Sequence, residues 1–206
     1  MSTSLRGLYA ITDERLTPPD SILLQVEQCL SGGAKVIQLR DKTTPNDKLL
    51  QTAKRLRRLC HRYGARLIIN DRVELCLKAG ADGVHVGKDD AECQAVRKAL
   101  GKDAIIGVSC YNELERAISA AKHGADYVAF GSFFPSPTKP EAVRAPVSLI
   151  RRAKEILDIP VCAIGGITAE NAQILVANGV DMVAVISDIW TAKDIKAQAE
   201  KYKRLF

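Results

Sequence analysis

Gly80-Ala81-Asp82-Gly83-Val84-His85-Val86-Gly87 reads as a helix stop followed directly by a short strand. Glycine can take the left-handed conformation that ends a helix. The run after it is short, β-branched and nearly continuous in apolar residues, the pattern of a parallel strand buried on both faces. The same device stands at Gly33-Ala34-Lys35, Gly64-Ala65-Arg66, Gly124-Ala125-Asp126 and Gly179-Val180-Asp181, each time between an amphipathic stretch and an apolar run. Its recurrence marks a repeated βα unit.

The remaining runs fit that unit. Gly7-Leu8-Tyr9-Ala10-Ile11, Val36-Ile37-Gln38-Leu39, Arg66-Leu67-Ile68-Ile69 and Gly83-Val84-His85-Val86 read as the first four strands. Ala104-Ile105-Ile106-Gly107-Val108, Tyr127-Val128-Ala129-Phe130, Val161-Cys162-Ala163-Ile164 and Met182-Val183-Ala184-Val185-Ile186 read as four more. Helical patterns lie at 21–30, 47–61, 73–79, 91–100, 113–122, 147–157, 169–177 and 192–203. Eight βα units within 206 residues favour a single domain, 1–206, closed into a (β/α)8 TIM barrel. An open doubly wound sheet is the alternative, although no Gly-x-Gly-x-x-Gly follows the first strand.

Composition narrows the partners. The net charge of +6 raises nucleic acid as a partner, but aromatics at 5% are too sparse for a base-stacking platform. The densest basic cluster, Lys54-Arg55-Leu56-Arg57-Arg58-Leu59, spaces its leucines as a solvated helix face does. A basic balance suits an enzyme of anionic small molecules. No apolar run approaches the ~18 residues of a membrane span, and Met1-Ser2-Thr3-Ser4-Leu5-Arg6 has no apolar signal core. A cytoplasmic protein is expected, with self-association into a homo-oligomer left open. The six cysteines lack Cys-x-x-Cys spacing and read as free, reduced and buried.

Active-site groups of such barrels come from the C-terminal ends of strands and the loops after them. The second strand ends Gln38-Leu39-Arg40-Asp41-Lys42, and alternation puts Gln38, Arg40 and Lys42 on one side as a cradle for a diphosphate. A solvated loop with an internal Arg40–Asp41 pair is the plainer reading. Asp71 after the third strand and Asp90 after the fourth are placed to share one hard cation; helix capping is the alternative for each. His85 reads as a packing or supporting residue. Ser109 brings a hydroxyl to the rim, and the loop 131–140 reads as a lid with two phenylalanines. Gly165-Gly166 and Val185-Ile186-Ser187 fall where this fold holds phosphate.

Together these motifs resemble the thiamine-phosphate synthase family along essentially the whole chain, from Leu8-Tyr9-Ala10-Ile11-Thr12-Asp13 through Gln38-Leu39-Arg40-Asp41-Lys42, Ile69-Asn70-Asp71-Arg72, Gly107-Val108-Ser109 and Pro135-Ser136-Pro137-Thr138-Lys139 to Val185-Ile186-Ser187. The resemblance implies a transferase that joins a hydroxymethylpyrimidine diphosphate to a thiazole (or carboxythiazole) phosphate and releases pyrophosphate. It implies that Gln38, Leu39, Arg40, Asp41, Lys42, Asn70, Ser109 and Lys139 hold the pyrimidine diphosphate, with Arg40, Lys42, Ser109 and Lys139 serving catalysis. Asp71 and Asp90 are then the ligands of one Mg2+, and Ser136, Pro137, Thr138, Gly166, Ile186 and Ser187 hold the thiazole phosphate. Lys88 stands where the family commonly has glutamine and Ser136 where threonine is frequent; neither removes a group the chemistry needs. No Ser–His–acid or Cys–His arrangement is evident, and a reaction leaving through a diphosphate needs none. The thiazole tautomerase branch of the superfamily and a non-catalytic phosphate sensor are the competing functions.

Overall fold

The eight apolar runs form strands β1 (Gly7–Ile11), β2 (Val36–Leu39), β3 (Arg66–Asn70), β4 (Gly83–Val86), β5 (Ile105–Tyr111), β6 (Tyr127–Phe130), β7 (Val161–Ile164) and β8 (Met182–Val185). In the computed structural model, which describes residues 5–87, 92–135 and 143–206, each strand pairs in parallel with its sequence neighbours. The eighth returns to the first through Gly7↔Met182 to Ala10↔Val185, closing the barrel and excluding the open sheet. Around it lie α1 (Ile22–Ser31), α2 (Asn46–Arg62), α3 (Val73–Ala79), α4 (Cys93–Leu100), α5 (Leu114–Lys122), α6 (Ser148–Ile156), α7 (Ala172–Ala177), α8 (Ser187–Trp190) and α9 (Ile195–Lys203). Helix α8 is a single turn, too short to leave a periodicity in sequence. Strand β5 runs on to Tyr111 because its polar end stays in the ladder, with a register shift between Ser109 and Tyr111.

Alternation along the strands sorts two cores. Outward residues such as Leu8, Ile37, Leu39, Leu67, Ile69 and Val84 pack under the helices. Inward residues Tyr9, Ile11, Val36, Ile68, Tyr127, Ala129, Cys162, Met182 and Ala184 fill the barrel. Inward positions become polar toward the C-terminal ends, at Gln38, Asn70, His85 and Ser109, and that change of character marks the mouth. Five of the cysteines are buried and Cys93 is half-buried, all with free thiols.

The helix stops behave as their sequence requires: Gly80 has φ 64° and Gly124 φ 92°. The aspartate two residues later adds a clasp at the opposite, N-terminal rim. Asp82 donates its backbone N–H to the Leu67 carbonyl at 3.0 Å and accepts the Leu67 N–H on its carboxylate at 2.8 Å. Asp126 does the same with Ile106, at 2.7 Å for both bonds, and Asp181 with Val161, at 2.9 and 2.7 Å. A cation completes each clasp: Arg66 for Asp82, Arg97 for Asp126 and Lys154 for Asp181. Strands β4, β6 and β8 are thereby tied to the strands before them.

Candidate active site

The cradle at the end of β2 is held from below by Thr12, which is buried at the end of β1. Its hydroxyl accepts the Arg40 N–H at 2.9 Å, and its own N–H donates to the Gln38 carbonyl at 2.9 Å. Arg40 thus leaves the strand pointing into the mouth, where its guanidinium lies 3.6 Å from Glu14 and 4.0 Å from Asp13. These are loose contacts for an arginine, whose good carboxylate pairs are short and bidentate. The Arg40–Asp41 pair of the plainer reading does not form. The Asp41 carboxylate instead accepts the N–H groups of Thr43 and Thr44 at 2.9 and 2.8 Å and the Thr43 hydroxyl at 3.1 Å. Partial burial works against ionisation of Asp41, but these hydrogen bonds outweigh it and hold the carboxyl below its ordinary range. Asp41 shapes the loop, and the Leu39 side chain packs outward under the helices, so neither side chain points into the mouth. Arg72 clamps the same loop from β3's side, donating to the carbonyls of Thr44 at 2.5 Å and Asp41 at 2.6 Å. Arg72 closes the Ile69-Asn70-Asp71-Arg72 motif, but the sequence gives no sign of this clamping role.

Lys42 reaches across to Asp71, with Nζ 3.8 Å from the carboxylate and more than half of the lysine side chain exposed. Asp71 has φ 58°, a left-handed backbone that aspartate tolerates better than most residues. Its N–H donates to the His85 carbonyl at 2.9 Å, and its carboxylate accepts from the Asn70 amide at 2.6 Å. Helix α3 is preceded by Arg72 with no side-chain cap, so the capping alternative for Asp71 falls away. A hard oxygen donor at the mouth beside an amide and an exposed lysine suits Mg2+, which takes one or two carboxylates and keeps other positions for water and phosphate. Among the described residues no group of three or more acidic, histidine or cysteine side chains gathers as a metal cluster. Asp90, the other expected ligand, lies outside the described residues, as do Ser136, Pro137, Thr138 and Lys139.

Below the mouth a chain of side chains crosses the barrel. Gln38 Nε2 donates to the Tyr9 hydroxyl at 2.7 Å, and Tyr9 and Tyr127 share a hydrogen bond at 2.8 Å. Tyr127 Oη lies 2.9 Å from His85 Nδ1, and His85 Nε2 lies 2.8 Å from Ser109 Oγ. A Ser–His pair is therefore present, a contact the sequence did not reveal, but it is no Ser–His–acid arrangement. Its third member is a phenol, where a nucleophilic triad has a carboxylate. Burial pushes the phenols of both Tyr9 and Tyr127 above their ordinary range. Both stay neutral.

Across the mouth, Gly165 and Gly166 have φ 103° and 61°. A Cβ on Gly166 would lie 2.2 Å from the Pro135 carbonyl oxygen, and one on Gly165 would lie 2.1 Å from Ser132 Oγ. The close approach that these glycines allow is thus, first, to the loop after β6. That loop is pinned by Phe133 and Phe134 N–H groups donating to the carbonyls of Ile164 at 3.2 Å and Gly165 at 3.0 Å. Phe133 is buried in the outer core and fastens the base of the loop; residues 136–140 of the expected lid lie outside the described residues. Asn171 holds the Gly166 carbonyl at 2.9 Å. Ile186 and Ser187 open α8, and Asp188 fixes that turn by accepting from Tyr202 at 2.6 Å, Gln198 at 2.7 Å and the Ala169 N–H at 3.3 Å. Burial, then the bond to Asp188, raises the Tyr202 phenol far above its ordinary range. Asn171, Asp188 and Tyr202 carry no rim motif and are evident only in three dimensions.

Fold and mouth together are those of a TIM-barrel enzyme, its polar groups drawn from the C-terminal ends of the strands. The thiamine monophosphate synthase family matches residues 8–189. The chain is 49% identical to the thiamine-phosphate synthase of Nitrosococcus oceani, over 100% of its own length and 95% of that protein's. It is 48% identical to the enzyme of the same name from Thioalkalivibrio sulfidiphilus, over 98% and 96%. Among solved structures it superposes on a thiamine phosphate pyrophosphorylase from Pyrococcus furiosus with a TM-score of 0.88 and 37% identity, covering 98% of this chain and 96% of that one. The chain belongs to the thiamine monophosphate synthase family, and with it to the transferases of thiamine biosynthesis.

Proposed function

We propose that this enzyme condenses 4-amino-2-methyl-5-(diphosphooxymethyl)pyrimidine with thiazole phosphate to give thiamine phosphate and pyrophosphate; a carboxythiazole phosphate would in addition lose its carboxylate as CO2 and take up a proton in its place. The observation that carries the reading is the pair of cations at the end of β2, Arg40 and Lys42, each only loosely paired, with Lys42 reaching Asp71 at the end of β3. Asp71, a hard oxygen donor at the mouth, is suited to a divalent metal; with Asp90 it would hold Mg2+, which when bound would neutralise charge on the diphosphate oxygens. Arg40, Lys42 and Lys139 bind the same diphosphate and stabilise the charge that grows on it as it leaves. Ser109, Asn70 and Gln38 orient it. Ser136, Pro137, Thr138, Gly166, Ile186 and Ser187 hold the monophosphate of the second substrate opposite.

The chemistry balances without a general base. The bond between the methylene carbon and the diphosphate oxygen breaks, and its electron pair leaves with pyrophosphate. The electron-rich aminopyrimidine carries the cationic methylene until the thiazole nitrogen gives its lone pair to form the new carbon–nitrogen bond. Holding both partners by their phosphates makes that attack effectively intramolecular. Pyrophosphate release tests the reading: it is expected only with both substrates and Mg2+ present, and metal-independent turnover would contradict it.

A further inference from the structure

The chain from Gln38 to Ser109 has a direction, and the direction follows from donor counting. An amide nitrogen only donates, and each hydroxyl has one proton to give. With Gln38 Nε2 donating to Tyr9, the buried Tyr9 proton is satisfied by the Tyr127 oxygen, 2.8 Å away, whereas the reverse order would leave it without an acceptor in this chain. The Tyr127 proton then goes to His85 Nδ1 at 2.9 Å, so that nitrogen is unprotonated. A neutral imidazole in that state carries its proton on Nε2 and donates it to Ser109 Oγ at 2.8 Å. The proton of Ser109 is left to turn toward the barrel mouth. A diphosphate oxygen accepts and never donates, so only this order presents Ser109 to it favourably. In the opposite order the serine lone pairs would face the anion.

We propose that Tyr9, Tyr127 and His85 are positioning residues: their ordered hydrogen bonds, running from the Gln38 amide to the Ser109 hydroxyl, hold His85 in the Nε2–H tautomer and aim the Ser109 proton at the diphosphate. The inference rests on the reading of Ser109 as a diphosphate contact. Three features support a chain built for polarity over mere filling. Two fully buried tyrosines stand where phenylalanine would fill the same space without the cost of burying a hydroxyl. The ring of Tyr127 stacks on His85 with centroids 5.6 Å apart and meets Tyr9 edge-on at 5.9 Å, which fixes all three rings. Gly107 makes the room, since a Cβ there would lie 2.0 Å from Tyr127 Cζ and 2.3 Å from its hydroxyl oxygen.

The test combines a spectrum with a mutant cycle. In 15N-histidine NMR of the intact wild-type protein, the His85 signals, assigned by their loss in His85→Gln, should show a protonated Nε2 and an unprotonated Nδ1. Tyr127→Phe should lower kcat/KM for pyrophosphate release about tenfold, the worth of one misdirected hydrogen bond. In a Ser109→Ala background it should lower it no further. His85→Gln, which keeps an amide donor in reach of Ser109, should retain more activity than His85→Leu. The opposite tautomer, or an equal loss from Tyr127→Phe in both backgrounds, overturns the proposal while leaving Ser109 in its role. Full activity in Ser109→Ala overturns the role of Ser109 and the proposal together.

Discussion

Asp71 shows how one residue can serve both backbone and chemistry. Its φ of 58° turns the chain sharply after β3 and aims the carboxylate at Lys42 and Asn70. Asparagine accepts the same left-handed backbone, so Asp71→Asn removes charge while keeping the turn. The variant is expected to fold normally, to need far more Mg2+, and to release pyrophosphate about a hundredfold more slowly, the size of loss seen when one pre-placed electrostatic contact is removed. A Mg2+ titration of wild type and variant checks this, and superimposable curves would take Asp71 out of the metal site. Residues with this kind of role were legible in sequence because strand alternation and the end-of-strand rule place them. Arg72, Thr12 and Asn171 were not, because each acts through bonds to backbone atoms 28 residues away, 28 residues away and 5 residues away, and no pattern in sequence encodes such a pair. The Ser109–His85 contact was missed for a similar reason: it spans 24 residues and depends on the register Val84↔Ile106, His85↔Gly107.

At the scale of elements, the strands were read nearly to the residue, since short β-branched runs bounded by glycine leave little choice. The glycine stops are equally legible, but the aspartates of the same motifs look in sequence like mere punctuation, whereas in the fold they clasp adjacent strands at the rim away from the site. Asp126→Ala deprives the Ile106 N–H of its carboxylate acceptor and removes the partner of Arg97. Such a loss costs about 1–3 kcal/mol, whereas Asp126→Asn, which keeps an acceptor and loses mainly a half-exposed ion pair, should cost under about 1 kcal/mol. Urea unfolding of the two variants measures the difference. Their kcat/KM under folding conditions should stay within about twofold of wild type, because the N-terminal rim lies at the end of the barrel away from the mouth and serves stability. A stability loss in Asp126→Asn equal to that in Asp126→Ala would mean that the ion pair, and not the clasp, is what counts.

For the whole molecule, closure of the barrel buries groups that ionise only once it opens. Burial holds Cys76 up to about 11, Cys60 up to about 12 and Cys110 up to about 12, from an ordinary 9.0. A folded-state pKa above the unfolded one means stability that is complete below pH ~9 and is lost as pH rises toward the folded values. Urea midpoints are therefore expected to be level near pH 8 and to fall between pH ~9 and ~11 more steeply than the roughly 1.4 kcal/mol per pH unit that one thiol gives. A flat profile across that window would show that the thiols reach water in the native state. The same closure brings the ends of β2 to β5 opposite those of β7 and β8, and the central claim is that a diphosphate on one side meets a monophosphate on the other. Product balance in a single reaction mixture tests this most directly. With pyrimidine diphosphate, thiazole phosphate and Mg2+ supplied, thiamine phosphate and pyrophosphate should appear together in a 1:1 ratio and neither should appear when one substrate is withheld. An isomerised thiazole phosphate formed without pyrophosphate, or calorimetric binding of both ligands with no product, would contradict it.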